Sequence, residues 1–136
     1  MPHDDHPALL AARNSWRCVE GKDKHGWLSL MAEDVCIEDP IGVAPTNPTG
    51  EGARGLSAVA EFWDRHIAPG TVRVETHESF VAGSESAHVL TLRTTLPNGY
   101  EARVRGVFTY RVNPAGKLQA LRGYWALADL VLAPPA

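Results

Sequence analysis

Asp39 is the side chain in this sequence best placed to move a proton. It ends the run Val35-Cys36-Ile37-Glu38-Asp39, which alternates as a strand does before Pro40 stops it. In that phase Val35, Ile37 and Asp39 share one face, and Glu38 takes the other. A carboxylate at the mouth of an apolar cavity loses hydration in its charged form, so its pKa rises and it becomes a stronger base. Removing a proton beside a carbonyl calls for such a group. The rival reading has Asp39 capping the turn from Pro40 to Gly42, as Asp before Pro often does. His88 is the second candidate, an imidazole on an otherwise apolar strand face. It fits a general acid, a partner for Asp39, or a core histidine satisfied by a backbone carbonyl. His3 and His6 lack a third ligand at suitable spacing, so no metal site is expected. His25, His66 and His77 read as surface positions. Cys18 and Cys36 have neither metal-ligand nor disulfide-framework spacing and read as small buried thiols.

The elements that must position these groups follow from periodicity. Leu9, Leu10, Trp16 and Val19 form a helical stripe between Ala8 and Val19. A shorter helix is predicted from Asp23, a suitable N-cap, to about Met31. Pro40 to Gly55 holds four Gly and three Pro and reads as a long irregular loop, a kind of segment that commonly serves function. Ser57 to Ile67 has the apolar spacing of a third helix, and Ala68-Pro69-Gly70 ends it. Four alternating runs follow: Val72–Phe80, His88–Leu96, Val104–Val112 and Leu118–Leu127. Asn98-Gly99 predicts a tight primed hairpin with both residues at positive φ. Asn113-Pro114-Ala115-Gly116 marks a second hairpin.

Helices early and strands late predict an α+β domain, with three helices on the concave face of a curved, mixed but mostly antiparallel sheet. Such layers leave room for an apolar ligand between them. Alternation puts Val104, Gly106, Phe108 and Tyr110 on one face of their strand and Arg103, Arg105, Thr109 and Arg111 on the other. The aromatics Trp16, Trp27, Trp63, Phe108, Tyr110 and Trp125 offer a ligand wall, with ordinary packing as the rival reading, favoured for Trp16 and Trp27. Phe108 and Trp125 stand beside Gly106 and Gly123, which are expected to leave space for a ligand.

Composition narrows the classes. The chain has 136 residues, 44% hydrophobic and 21% charged, which fits one globular domain over residues 1–136. Residues 1–7 are expected to be flexible and 131–136 to form a tail. Its 13 Lys and Arg are scattered and the net charge is -3, so nucleic acid is not an expected partner. No apolar run approaches the roughly 20 residues of a membrane helix. The N-terminus has no signal-peptide pattern, and the cytoplasm is the expected location.

With these residues in place, a resemblance can be stated. Met31-Ala32-Glu33-Asp34-Val35-Cys36-Ile37-Glu38-Asp39-Pro40-Ile41-Gly42 resembles the segment of bacterial ketosteroid isomerases that carries their catalytic aspartate. Gly55 with the Phe62-Trp63 helix, Asn98-Gly99 and Gly123-Tyr124-Trp125 match in the same order, from about Leu10 to Leu130. Ser-Trp-Arg-Cys-Val at 15–19 and Arg-Gly-Val-Phe-Thr-Tyr-Arg-Val at 105–112 are similar to a mycobacterial-type subgroup. The resemblance implies an NTF2-like (SnoaL-like) cone that binds a steroid or similar polycycle, needs no cofactor and forms a homodimer. It implies that Asp39 removes a proton beside a steroid ketone and returns it two carbons away. The family's oxyanion donors do not carry over. Ser15 stands where its first-helix Tyr would be, Met31 and Trp63 replace two supporting Tyr, and Phe108 replaces a protonated Asp. Ser15, Trp16, Trp63, Tyr110 and His88 are the substitutes available. Three functions stay open: isomerisation with altered donors, steroid binding without turnover, and a hydratase or dehydratase using Asp39 with His88. Epoxide hydrolases and polyketide cyclases of this fold need a carboxylate on the late strands, and none lies between Glu101 and Asp129.

Overall fold

The computed structural model describes residues 4–135. Helix α1 (Pro7–Glu20) starts at His6, whose Nδ1 accepts the Ala8 amide, while Pro7 fills the first turn where no amide donor is needed. His6 also reaches the Gly83 carbonyl and Asp4 pairs with Arg13 at 3.6 Å, so part of the segment expected to be flexible is held. Residues 1–3 and 136 lie outside the described residues. Ala8, Leu9, Ala11, Ala12 and Ser15 are the buried face of α1, whereas Leu10 is exposed. The small alanines, more than the large residues of the expected stripe, let α1 lie close on the sheet. Helix α2 (Lys24–Ser29) is capped by Asp23, whose carboxylate accepts the Gly26 amide.

Strand β1 (Met31–Glu38) follows, then the long loop, a two-residue strand β2 (Ala53–Arg54), and helix α3 (Gly55–Phe62), which runs on as a π-helical turn, Trp63–Ile67. Strands β3 (Thr71–Ala82), β4 (Glu85–Thr95), β5 (Glu101–Val112) and β6 (Leu118–Tyr124) make the body of the sheet. A 3-10 turn, Leu127–Asp129, leads to β7 (Val131–Ala133). The strand order is β2-β1-β6-β5-β4-β3, with β1 and β6 parallel and the other neighbours antiparallel. Register shifts between Thr76 and Glu78 and between Arg111 and Val112 mark bulges, which add twist and bend the sheet.

The segment expected as a tail is a strand for a physical reason. β6 leaves the edge of β5 after Tyr124 pairs with Val107, and the edge from Glu101 to Arg103 would be left open. β7 pairs with those three residues. Both hairpins are present, and the first is built differently from the expected primed turn. Leu96 and Tyr100 close a three-residue loop, Pro97-Asn98-Gly99, in which only Gly99 has positive φ, at 88°. Pro97 sets the φ of a type I turn and Gly99 completes it. Asn113 closes the second loop in the same way, with Gly116 at φ 81°.

The core lies between the concave face and the helices. Trp27, Val35, Ile37, Val59, Leu90, Phe108 and Leu118 are all nearly inaccessible. On β5, Val104, Phe108 and Tyr110 are buried and Arg105 and Arg111 exposed, as alternation predicts.

Candidate active site

Asp39 follows β1 directly and keeps its phase. Val35 and Ile37 are buried, and Asp39 lines a cavity of about 390 Å³ between sheet and helices. That volume lies in the range of small-molecule sites. Glu38 faces the other way and pairs with Arg122 at 3.1 Å. The Asp39 carboxylate is held from several sides. Trp125 Nε1 donates to Asp39 Oδ1 at 2.7 Å, and Thr46 Oγ1 donates to the Asp39 carbonyl. Beyond it, the Ile41 amide donates to the Gly123 carbonyl, 3.0 Å away. Burial pushes the Asp39 carboxyl above its ordinary pKa, against the opposing effect of the Trp125 hydrogen bond.

The loop that covers Asp39 is pinned by a buried amide. Asn47 Nδ2 donates to the Pro40 carbonyl at 2.9 Å, and its Oδ1 accepts the Gly52 amide at 2.9 Å. Asn47 and Thr46 were missed by sequence reasoning. The available signal was an Asn between prolines in a segment too rich in Gly and Pro to hold itself by secondary structure.

Tyr110 stands on the same wall as Asp39. Its hydroxyl accepts the indole N–H of Trp16 at 2.8 Å, so its own O–H is free to donate into the cavity that both residues line. Burial, helped by the Asp39 charge, raises the Tyr110 pKa and keeps it a phenol. Ser15 also lines the cavity, but its Oγ accepts Trp27 Nε1 at 3.1 Å. Phe108, Val104 and Trp125 complete this part of the wall.

Three expectations are corrected by the packing. His88 does not pair with Asp39. Ser86 donates to the Ala8 carbonyl, so its oxygen accepts His88 Nε2–H at 2.7 Å, and Nδ1 accepts from Ser79 at 2.7 Å. Trp16 lies edge-on to the ring at 4.8 Å, and burial holds the imidazole neutral, with a pKa of about 4. It is a satisfied core histidine, although its partners are serines rather than a carbonyl. Trp63 packs into the core against Trp27, with ring centroids 5.1 Å apart, and does not line the cavity. The glycines leave no ligand space either. A Cβ on Gly123 would stand 2.7 Å from Asp39 Oδ1 and 3.0 Å from Phe108 and Trp125, and one on Gly106 would meet the Tyr124 carbonyl at 2.7 Å. Conversely His66, read as a surface residue, is half-buried and lines the cavity with Arg65. Cys18 and Cys36 are free and half-buried. Among the described residues no group of His, Cys, Asp or Glu could hold a metal, and no helix is long and apolar enough to cross a membrane.

A curved sheet closed by helices over an apolar cavity, with one carboxylate in the wall, defines an NTF2-like domain. The chain belongs to the SnoaL-like domain family, whose model matches residues 12–121. It is similar to a Δ5-3-ketosteroid isomerase from Mycobacterium sp., at 49% identity over 94% of this chain and 99% of that one, with a TM-score of 0.92. A Mycobacterium tuberculosis protein in complex with estradiol-17β-hemisuccinate is 49% identical over 93% and 99%, with a TM-score of 0.91. A computationally designed 17-OHP binder is 46% identical over 95% and 100%, with a TM-score of 0.92.

Proposed function

We propose that the cavity binds a 3-ketosteroid or similar polycyclic ketone, and that the protein isomerises its double bond from the Δ5 to the conjugated Δ4 position. The observation that carries this reading is Asp39, a carboxylate in the wall of an apolar cavity, fixed by Trp125 and made more basic by burial. Asp39 takes a proton from the carbon between the ketone and the double bond. The electrons move onto the ketone oxygen as a dienolate, and the same carboxyl returns the proton two carbons away. Tyr110 supplies the hydrogen bond to that oxygen. Trp16 donates to the Tyr110 oxygen, which strengthens the phenol as a donor. Similarity to a Mycobacterium Δ5-3-ketosteroid isomerase and to steroid-binding neighbours supports both ligand class and reaction.

The second reading is steroid binding without turnover. It is favoured by one observation: Ser15, which the resemblance sets at the family's tyrosine position, has its oxygen engaged by Trp27. The Asp39–His88 dyad has no support, because both imidazole nitrogens are taken by serines.

The test follows the conjugated enone absorbance formed from a Δ5-3-ketosteroid. Asp39→Asn should lower kcat by about 100-fold or more, and Tyr110→Phe by roughly 100-fold. Unchanged turnover in Asp39→Asn would overturn the reading. Steroid binding by the wild type with no enone formed would replace it with the binding reading.

A further inference from the structure

We infer that the mouth of the cavity binds a carboxylate carried by the ligand at the end remote from Asp39, with Arg65 supplying the charge and His66 a hydrogen bond. This rests on the cavity being the ligand site, as proposed above.

Among the described residues that line the cavity, the ionisable ones are Asp39, Tyr110, Arg65 and His66. They fall into two groups. Asp39 and Tyr110 belong to one end: Phe108, two residues from Tyr110 on β5, lies opposite Gly123, which packs against Asp39. Arg65 and His66 sit on the π-helical turn that runs into Pro69 and Gly70. Gly70 lies against the Thr95 carbonyl, where β4 ends and Thr94 pairs with Ala102 of β5. From Phe108 to Ala102 the strand runs about 20 Å at roughly 3.3 Å per residue. A ligand with its ketone at Asp39 therefore points its other end toward the Arg65 end.

The chemistry of that end suits one negative charge. Arg65 is mostly exposed and shares its guanidinium with Glu61 one turn back, which leaves further N–H donors of the fork for a ligand. His66 packs tilted against Phe62, with ring centroids 5.0 Å apart and an interplanar angle of 59°, which limits how the imidazole can turn. Burial and the neighbouring Arg65 lower the His66 pKa, so the imidazole is neutral and offers a hydrogen bond rather than a second charge. One cation beside one neutral imidazole matches a monoanion. In an ordinary α-helix adjacent residues diverge by about 100°; here both Arg65 and His66 reach the cavity, at the π-helical turn, a distortion often found at functional sites.

The experiment compares a 3-ketosteroid bearing a carboxylate-ended side chain with its methyl ester, by quenching of tryptophan fluorescence. Wild type should bind the acid about two- to fivefold more tightly than the ester, the range expected for an exposed ion pair. Arg65→Gln should remove that preference, so that acid and ester bind alike. Glu61→Gln, which frees the guanidinium, should enlarge it. Arg105→Gln, an exposed arginine that does not line the cavity, serves as the control and should leave it intact. Equal affinities for acid and ester in the wild type, or a preference that survives Arg65→Gln, would overturn the inference while leaving the cavity reading standing. Failure of both compounds to bind would overturn the cavity reading and this inference with it.

Discussion

Gly123 shows how tightly the site is set at the scale of single residues. Its φ is not in the left-handed region, so alanine fits the backbone there. The added methyl would instead press on Asp39, Phe108 and Trp125 together. On the proposed function, Gly123→Ala should therefore leave the fold intact by circular dichroism while lowering steroid affinity and turnover at least tenfold, because displacements near 1 Å at a reacting group are costly. Wild-type kinetics in this variant would mean that the three side chains can yield. This role was only half legible in the sequence. Alternation with Val35 and Ile37 was enough to aim Asp39 inward, since phase along a strand is local. What surrounds Asp39 depends on Gly123 and Trp125, more than eighty residues away, and on which side chain fills the space a glycine leaves. A sequence cannot separate space left for a ligand from space left for a neighbouring carboxylate.

At the scale of elements, the segment that carries Arg65 and His66 is tied down by a residue of the turn between α1 and α2. Lys22 Nζ donates to the carbonyls of Ile67, Ala68 and Gly70, at and just beyond the last turn of that helix. A cation there satisfies carbonyls the helix leaves open and complements its negative end. Lys22→Met keeps the aliphatic stem and removes the donors, so it should cost about 1 kcal/mol, the scale of a cation at an exposed helix C-terminus. That corresponds to a melting temperature lower by roughly 3–5 °C for a chain of this size. An unchanged melting curve would show that water replaces the ammonium at no cost. Helix and strand identities were mostly legible, because periodicity and Gly-Pro punctuation are local signals. β7 was not. Three residues are too few to show a period, and its existence depends on the edge of β5 left open by β6.

For the whole molecule, the buried His88 links the core to solution pH. Its folded pKa of about 4 lies below the 6.5 of the unfolded chain. Between these values the unfolded state takes up a proton that the folded state excludes, so stability rises with pH across that window. The full effect is on the order of 3 kcal/mol. Asp39 acts in the opposite sense. Its raised pKa favours the protonated folded form, a contribution lost as pH rises through that value. His88→Gln should therefore be less stable than wild type at pH 7, with a deficit that narrows toward pH 4.5, as read from urea midpoints. A deficit independent of pH would mean that His88 titrates alike in both states. Burial of a histidine against Ser79 and Ser86 was not readable in advance, since β4 alternation sets its face but not its neighbours.

The hydrogen bond from Trp125 to Asp39 has a spectroscopic consequence. The indole nitrogen that carries the bonding proton sits 2.7 Å from the oxygen that gains or loses charge. The proton's NMR resonance moves as that carboxyl ionises, so the protonation state of Asp39 can be followed in the resting protein, without substrate, through the signal of a neighbouring side chain.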